Sequence, residues 1–343
     1  MENPPPQEKK LPRSTTAWAV VIALVIGLGG FGAGWIVKGF SSVIAPPQSL
    51  RLNGYQFIDP LLACNINNSN VFQEDQSLNK QIQSIIDAHK NSGDISKASV
   101  YFLNLANGKW SGVYDTEAYY PSSLGKIPIM IAYYQLAEES PGILNQEVTY
   151  PVGSTDLNQM QDIIPPEVIV PGQTYTVEQL IEYMIKYSDN NATQLLYSHI
   201  NQNSLSKVYG DLGIPVNSDA TLANLDFITP HQISTLFRIL YNATYLSRDD
   251  SEKALQLLSQ TSFTQGIVAS VASSTVVSHK LGLVEIAPND ILTEHELHDC
   301  GIVYTKTPYL LCIMTRGSAS LPTLEGIIAQ ISGIVYSNVQ KGG

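Results

Sequence analysis

Apolar residues recur at helical spacing in several segments of the chain. Leu78, Ile82, Ile85 and Ile86 share one face of a helix predicted over 77–90. A capping box at 176–179 precedes a second amphipathic segment, in which Leu180, Ile181, Met184 and Ile185 lie on one side. Further helices are predicted at 124–136, 230–241, 250–258 and 324–339.

Segments rich in β-forming residues stand at both ends of this helical section. They occupy 99–105, 110–114, 276–283, 301–306 and 309–315. Asn107-Gly108 is a hairpin signal between the first two, and Thr307-Pro308 is a turn between the last two. The order predicts an α/β chain of the α+β type, in which the outer strands pair in one antiparallel sheet and the middle helices form a separate lobe.

The N-terminal region contains an uncharged apolar run at residues 17–37. Its length of about 21 residues matches a bilayer-spanning helix. Lys9, Lys10 and Arg13 precede the run, so residues 1–16 are expected in the cytoplasm and the residues after Val37 on the outer side of the cell membrane. We interpret the run as an uncleaved signal anchor, with cleavage near Ala45 as the alternative. A linker at 38–58 and a folded domain at 59–343 follow.

Three motifs in or near this run have simple interpretations. The segment 27–32 fits G-x-G-x-x-G, but its position inside the predicted span argues against dinucleotide binding, and no cofactor is expected. Gly30 and Gly34 would let two such helices approach closely and form a dimer. The segment 61–64 resembles a lipoprotein cleavage box but lies too far beyond the run, and it is interpreted as the start of the folded domain.

Composition excludes several classes of protein. The chain has 343 residues, of which 44% are hydrophobic and 14% charged, so it is neither disordered nor a long charged coiled coil. A net charge of −11 argues against a nucleic-acid partner, which would require a basic surface. Three cysteines are too few for a scaffold held together by disulfides.

A nucleophile with its base is suggested by Ser123 and Lys126, which form an S-x-x-K motif at the start of a predicted helix. Positions three apart lie on one helix face, and a partly buried lysine can lose its proton and act as a base. Ser188 and Asn190 belong to a Ser-Asp-Asn sequence that ends the capped helix. Lys280 and Gly282 stand on a predicted strand, in a Lys-Leu-Gly sequence.

Together the three motifs resemble those of the class A β-lactamase and penicillin-binding serine hydrolase family. The resemblance covers roughly residues 59–339 and includes Tyr120-Pro121-Ser122 before the nucleophile. It implies a five-stranded antiparallel sheet flanked by helices, an all-helical lobe, and a site between the two.

The resemblance also implies acyl transfer on a β-lactam or a peptidoglycan peptide ending in D-Ala-D-Ala. Ser123 would attack the carbonyl, Lys126 would be the base, and Ser188 would pass the proton to the leaving group. Asn190 would position the substrate, Lys280 would bind its carboxylate, and Gly282 would leave room along the strand. The oxyanion hole would be formed by the backbone N–H of Ser123 and that of Leu283 or Val284.

Two departures from the family pattern bear on activity. Leu281 replaces the usual Thr or Ser, whose hydroxyl would bind the substrate carboxylate. The deacylating glutamate of class A enzymes is missing between 216 and 229, where Asp219 and Asp226 are the only acids, and Glu167 comes before the second motif. Slow deacylation is therefore expected. A non-catalytic binder of cell-wall peptides and a structural membrane protein are the alternatives.

The remaining histidines and cysteines give weaker functional signals. His298 and Cys300 could converge on a metal from one strand face, but a polar loop entering a strand is the preferred interpretation and no metal is expected. His279 is interpreted as a strand-face histidine. Because the family fold brings its chain ends together, a Cys64–Cys300 disulfide is expected, with Cys312 a buried free thiol. The natural substrate is left open.

Overall fold

The computed structural model describes residues 49–52, 54–64, 72–215, 226–286 and 294–342. The predicted anchor at 17–37, with its Gly30–Gly34 pair, lies outside these residues. Within the described ranges, no helix combines the length and the apolar character that crossing a bilayer requires. A compact unit begins at Ser49 and continues to Gly343.

Nine strands are described, and most of them follow the predicted segments. They are β1 (Ser49–Arg51), β2 (Leu61–Cys64), β3 (Lys97–Asn104), β4 (Trp110–Val113), β5 (Glu147–Thr149), β6 (Thr174–Thr176), β7 (Val276–Ile286), β8 (Glu294–Tyr304) and β9 (Tyr309–Gly317). The short pairs β1–β2 and β5–β6 are additions to the prediction, because three or four residues give too little alternation to detect.

The helices of the described residues also agree with the predicted segments, apart from two after the second motif that sequence periodicity did not separate. They are α1 (Gln76–Ser92), α2 (Lys126–Glu139), α3 (Val177–Lys186), α4 (Asn190–His199), α5 (Gln202–Asp211), α6 (Pro230–Tyr241), α7 (Arg248–Leu258) and α8 (Leu321–Gly342). Capping boxes start α3 at Thr176 and Gln179 and α6 at Thr229 and Gln232.

The main sheet has five antiparallel strands in the order β4-β3-β9-β8-β7. Alternation along β3 sends Val100 and Phe102 into one core and Tyr101 and Leu103 into the other. The first core packs against α1 and α8, and the second against the helical lobe that includes α2 and α6. This is the predicted sheet with flanking helices and a helical lobe, and it leaves β7 as the edge strand beside the lobe.

Candidate active site

The predicted nucleophile lies on a tight turn that leads into a buried helix. Ser122–Gly125 forms a 3-10 turn, and α2 begins directly at Lys126, so the helix predicted from residue 124 starts slightly later. Ser123 is partly exposed and lines a cleft of about 820 Å³ between the sheet edge and the helical lobe. Lys126 is 5% exposed at the bottom of this cleft.

Lys126 is held by the second motif. Its Nζ donates to the Ser188 carbonyl at 2.7 Å, to the Ser188 Oγ at 3.0 Å and to the Asn190 Oδ1 at 2.8 Å. The Ser188 Oγ in turn donates to the Ser123 Oγ at 3.0 Å. A continuous hydrogen-bond path therefore joins the candidate nucleophile to the candidate base through a second hydroxyl.

The third motif reaches the same hydroxyl. Lys280 Nζ donates to the Ser188 Oγ at 3.0 Å from β7, and the side chain is 2% exposed. Ser188 has a φ of 60°, in the left-handed region that non-glycine residues seldom adopt. The residue whose hydroxyl is hydrogen-bonded to Lys126, Ser123 and Lys280 thus has an uncommon backbone conformation.

Burial controls the charge of both lysines. Desolvation, followed by the positive charge of Lys280, lowers the pKa of Lys126 well below its ordinary value, and Asp189 partly opposes this change. Desolvation lowers the pKa of Lys280 to about 7, against the opposing effect of Asp299. The positive charge of Lys280 is therefore part of what favours a neutral amine at Lys126.

Asp189 and Asn158 build the support beneath the second motif. The buried Asp189 caps α4 by accepting from the backbone of Asn191 and Ala192, and its other oxygen accepts from Ile169 N at 2.7 Å. Asn158 donates to Asp189 Oδ1 at 2.9 Å and accepts from Asn190 N at 2.7 Å. Sequence reasoning missed Asn158, because it lies about 30 residues before the motif that it orients, in a segment without periodicity.

Gly282 has a different packing role from the expected one. A Cβ at this position would lie 3.1 Å from Leu124 Cγ and 3.2 Å from the Pro121 carbonyl oxygen. The absent side chain therefore admits the turn that carries Ser123, rather than only a substrate. Leu281, in place of the family hydroxyl, also lines the cleft, but it is 8% exposed and packs in the core beside α1 and α8.

The backbone of Leu283 already has a partner. Its N–H donates to the Ser122 Oγ at 3.1 Å, and the same hydroxyl donates to the Leu283 carbonyl. Leu283 is one of the two strand positions, with Val284, at which an oxyanion-hole N–H was expected, and its N–H is bonded to Ser122. Sequence reasoning quoted Ser122 only as part of the family resemblance and gave it no role.

Glu296 and His298 fix the segment before the nucleophile. Glu296 Oε2 accepts from Tyr120 N at 3.0 Å, and His298 Nε2 donates to the Tyr120 carbonyl at 3.1 Å. Both side chains are fully buried, in the part of β8 that was interpreted as a polar loop. The polar composition of this segment suggested an exposed loop. In the fold these side chains are buried and form hydrogen bonds with the backbone of Tyr120.

Two of the three acids considered for deacylation, Asp226 and Glu167, form hydrogen bonds with other side chains. Asp226 accepts two hydrogen bonds from Arg316, at 2.6 and 2.7 Å, and one from Lys97 at 3.0 Å. It is not among the residues that line the cleft. Asp219 lies outside the described residues. The exposed Glu167 forms a side-chain hydrogen bond with Tyr187. Burial raises the pKa of Tyr187 most, and this hydrogen bond raises it further.

A metal at His298 and Cys300 does not fit the structure, because His298 binds Tyr120 and Cys300 forms a disulfide. In the described part of the chain, Asp162, Glu285 and His295 place ligand atoms within 4.8 Å of one another, and the two acids line the cleft. The two carboxyl groups are exposed, and a hydrogen bond between them raises the pKa of Glu285. His279 is buried and pairs with Asp299 at 2.7 Å.

The predicted Cys64–Cys300 disulfide is wrong. Cys300 is bonded to Cys312, so Cys312 is not a free thiol. The two residues face each other in the register of β8 and β9, and their Cα atoms are 3.9 Å apart. The error arose because chain ends were used to choose the partner, whereas the strand register places the two cysteines side by side.

Comparison with known proteins agrees with this architecture. Among solved structures, the chain is similar to PBP-A, with a TM-score of 0.64 and 21% identity over 79% of this chain and 98% of that one. It is also similar to a class A β-lactamase from Mycobacterium abscessus, with a TM-score of 0.62 and 21% identity over 77% and 99%. A β-lactamase from Sphaerobacter thermophilus gives a TM-score of 0.64 and 17% identity over 76% and 97%. At such identities these likenesses concern the fold.

No curated protein sequence matches the chain. The profile of the Beta-lactamase enzyme family, however, matches residues 77–339, which include all three motifs and all strands of the five-stranded sheet. That span is well over half of the chain, and the chain therefore belongs to the Beta-lactamase enzyme family.

Proposed function

We propose that this protein is a serine hydrolase that forms an acyl-enzyme on Ser123 with β-lactams or with peptides ending in D-Ala-D-Ala, and that it deacylates slowly. The observation that carries the proposal is the hydrogen-bond path from Ser123 through Ser188 to Lys126. A buried lysine with a strongly lowered pKa at the end of such a path is suited to accept a proton from the hydroxyl.

Acylation requires the two hydroxyl groups to reverse their hydrogen bonds. Ser123 gives its proton to the Ser188 oxygen, and Ser188 gives its own proton to the neutral amine of Lys126. The Ser123 oxygen forms a bond to the substrate carbonyl carbon, whose C–N bond then breaks. The leaving nitrogen takes a proton from Ser188, which recovers one from Lys126, so the base ends neutral again.

Substrate orientation follows from groups that surround the same hydroxyl. Lys280, when protonated, would attract a substrate carboxylate, and its burial increases the strength of that attraction. Asn190 uses its Oδ1 for Lys126, while its Nδ2 has only a long contact of 3.5 Å with Leu157 O. That amide group is therefore free to donate to a substrate carbonyl.

Slow deacylation follows from the position of the acids. Positioned general-base help to the attacking water is worth typically 10²–10⁴-fold. Asp226 is engaged by Arg316 and Lys97 and does not line the cleft. One related protein, a mutant of PBP-A, has been solved as an acyl-enzyme complex with penicillin G. We expect a comparable long-lived adduct on Ser123.

A fluorescent penicillin tests the proposal on a denaturing gel. The wild-type protein should carry covalent label, and Ser123→Ala should carry none. Ser140→Ala is the matched control, because this exposed serine ends the same helix that Lys126 begins, and it should label like wild type. Stopped-flow measurement with nitrocefin should show a burst of one equivalent and then slow turnover. Turnover at hundreds per second would contradict the slow deacylation.

A non-catalytic binder of cell-wall peptides on the same fold is the second candidate. It is favoured by Leu281, which gives the carboxylate site an apolar neighbour. It predicts saturable binding of a D-Ala-D-Ala peptide together with no label on wild type. The lowered pKa of Lys126 weighs against it, because a pure binder has no use for a neutral buried amine.

Anchoring in the cell membrane through residues 17–37, with the catalytic domain outside the cytoplasm, is part of the proposal. The support is the uncharged run with Lys9, Lys10 and Arg13 before it. Alkaline phosphatase fused to the C-terminus is active only outside the cytoplasm, so the fusion should be active. An inactive phosphatase, with an active cytoplasmic reporter at the same position, would overturn this topology.

A further inference from the structure

The edge of β7 that faces the cleft is occupied by a side chain of the protein itself. At Leu283 the Ser122 hydroxyl accepts from the backbone N–H at 3.1 Å and donates to the backbone carbonyl. Both serine and leucine line the cleft. One hydroxyl thus satisfies both hydrogen-bonding groups that this residue offers to an extended ligand.

The position of Ser122 is fixed by its neighbours on both sides. Its backbone has a φ of 47°, in the left-handed region, and it opens the turn that carries Ser123. The preceding Tyr120 is held by Glu296 and His298, and Leu124 packs over Gly282. The backbone of the turn therefore has little freedom, and rotation about the Ser122 Cα–Cβ bond is the motion that would release Leu283.

We propose that Ser122 is a positioning residue that acts as an internal occupant of the oxyanion site and must be displaced before substrate can bind there. This inference rests on the proposed function, since the site it blocks is where the attacked carbonyl would lie. When the Ser122 side chain rotates, the Leu283 N–H is freed for the carbonyl oxygen and the Leu283 carbonyl for a substrate N–H. No covalent bond changes in this step.

The need to displace the Ser122 hydroxyl reduces the free energy gained when any substrate binds at this strand edge. Two hydrogen bonds within the protein are exchanged for two with the ligand, so binding at the edge gains less than it would at an open strand. Removing the hydroxyl should therefore increase the second-order rate constant of acylation by roughly 2- to 10-fold, the equivalent of about one net hydrogen bond. Peptide affinity should increase by a similar factor.

The experiment combines a structural and a functional measurement on the wild type, Ser122→Ala and Ser122→Gly. Glycine suits the positive φ, so it covers the case in which alanine disturbs folding. In ¹⁵N-leucine-labelled protein, hydrogen exchange at the Leu283 amide should be at least ten times faster in both variants. Leu297, the partner of Leu283 in the sheet register, is the internal control and should not change.

The functional arm measures labelling by fluorescent penicillin and titrates N-acetyl-D-alanyl-D-alanine through the Leu283 amide shift. Faster exchange together with faster labelling and tighter peptide binding supports the inference. Unchanged exchange at Leu283, or faster exchange with equal or weaker peptide binding, overturns it. If no protein is labelled, the proposed acylation has failed, and the exchange and peptide measurements still decide the role of Ser122.

Discussion

Lys126 and Lys280 direct their amines to one hydroxyl, that of Ser188, and each Nζ lies 3.0 Å from its oxygen. Two ammonium groups so close together and so deeply buried repel each other, and desolvation penalises both charges. The site therefore favours one charged and one neutral amine. That distribution suits a base at Lys126 and an anion-binding cation at Lys280.

The pH dependence of acylation should reflect this division. The rate constant for free enzyme and substrate should increase as Lys126 loses its proton, and decrease as Lys280 loses its own near pH 7. A bound substrate carboxylate favours the charged form of Lys280, so the decrease should move to higher pH at saturating substrate. Stopped-flow acylation measured from pH 5 to 10, at low and at high substrate, checks both statements.

Lys280→Met is the control for this profile. It removes the decrease near pH 7, and it also removes the repulsion that helps to lower the pKa of Lys126, so the ascending limb should move to higher pH. An ascending limb that stays in place would show that Lys280 does not influence the base.

The sequence predicted the sheet, the lobe and the three motifs because each has a local signal. Short runs of β-forming apolar residues mark β3 and β9, a capping box marks α3, and motif order marks the site. What the sequence did not reveal depends on distant pairing. The Cys300–Cys312 bond depends on strand register, and the contacts of Asn158 with Asp189 and of Ser122 with Leu283 join segments that come together only in the folded chain.

Leu281 is expected to limit affinity for carboxylate substrates. In Leu281→Thr a hydroxyl would stand beside the carboxylate site, and one net hydrogen bond is worth about 0.5–1.5 kcal/mol, or roughly 2- to 12-fold in affinity. Penicillin G should therefore acylate the variant faster, while its methyl ester, which has no carboxylate, should not. Equal gains for both compounds would show that the hydroxyl acts on something other than the carboxylate.

The same substitution should lower stability. Leu281 is 8% exposed and packs with the core beside α1 and α8, so the loss of its apolar contacts should cost roughly 1–3 kcal/mol. Urea unfolding gives this value. A stable variant with unchanged acylation would leave no role for Leu281 in either the core or the site.

The Cys300–Cys312 disulfide should contribute to stability although it closes a short loop. The cysteines are 12 residues apart, and closing a loop of about 15 residues is worth roughly 3 kcal/mol. The double variant Cys300→Ala and Cys312→Ala should therefore unfold at lower urea by a comparable amount. Because the chain has three cysteines, the denatured unreduced protein should titrate one thiol, and the reduced protein three. A peptide map that links Cys64 to Cys300 would contradict this pairing.

Substitution of Asp226 tests whether this acid stabilises the fold or activates the water for deacylation. Its carboxylate joins Lys97 on β3 to Arg316 on β9, and Arg316 also pairs with the buried Glu296. Burial opposes the charge of Arg316, but the two acids outweigh it and raise the pKa of Arg316. Asp226→Asn leaves these cations with one acid, so the free energy of unfolding should decrease by roughly 1–3 kcal/mol, discounted for the partial exposure of Asp226.

Deacylation in Asp226→Asn should stay within about threefold of wild type, because loss of a general base would cost typically 10²–10⁴-fold. The decay of the fluorescent adduct after removal of free penicillin measures this rate directly. Asp219→Asn is the matched variant, since it is the other acid between 216 and 229. A drop of a hundredfold in Asp226→Asn, with no change in Asp219→Asn, would mean that Asp226 leaves its cations to activate water. The acyl-enzyme would then be hydrolysed by an aspartate in place of the missing glutamate.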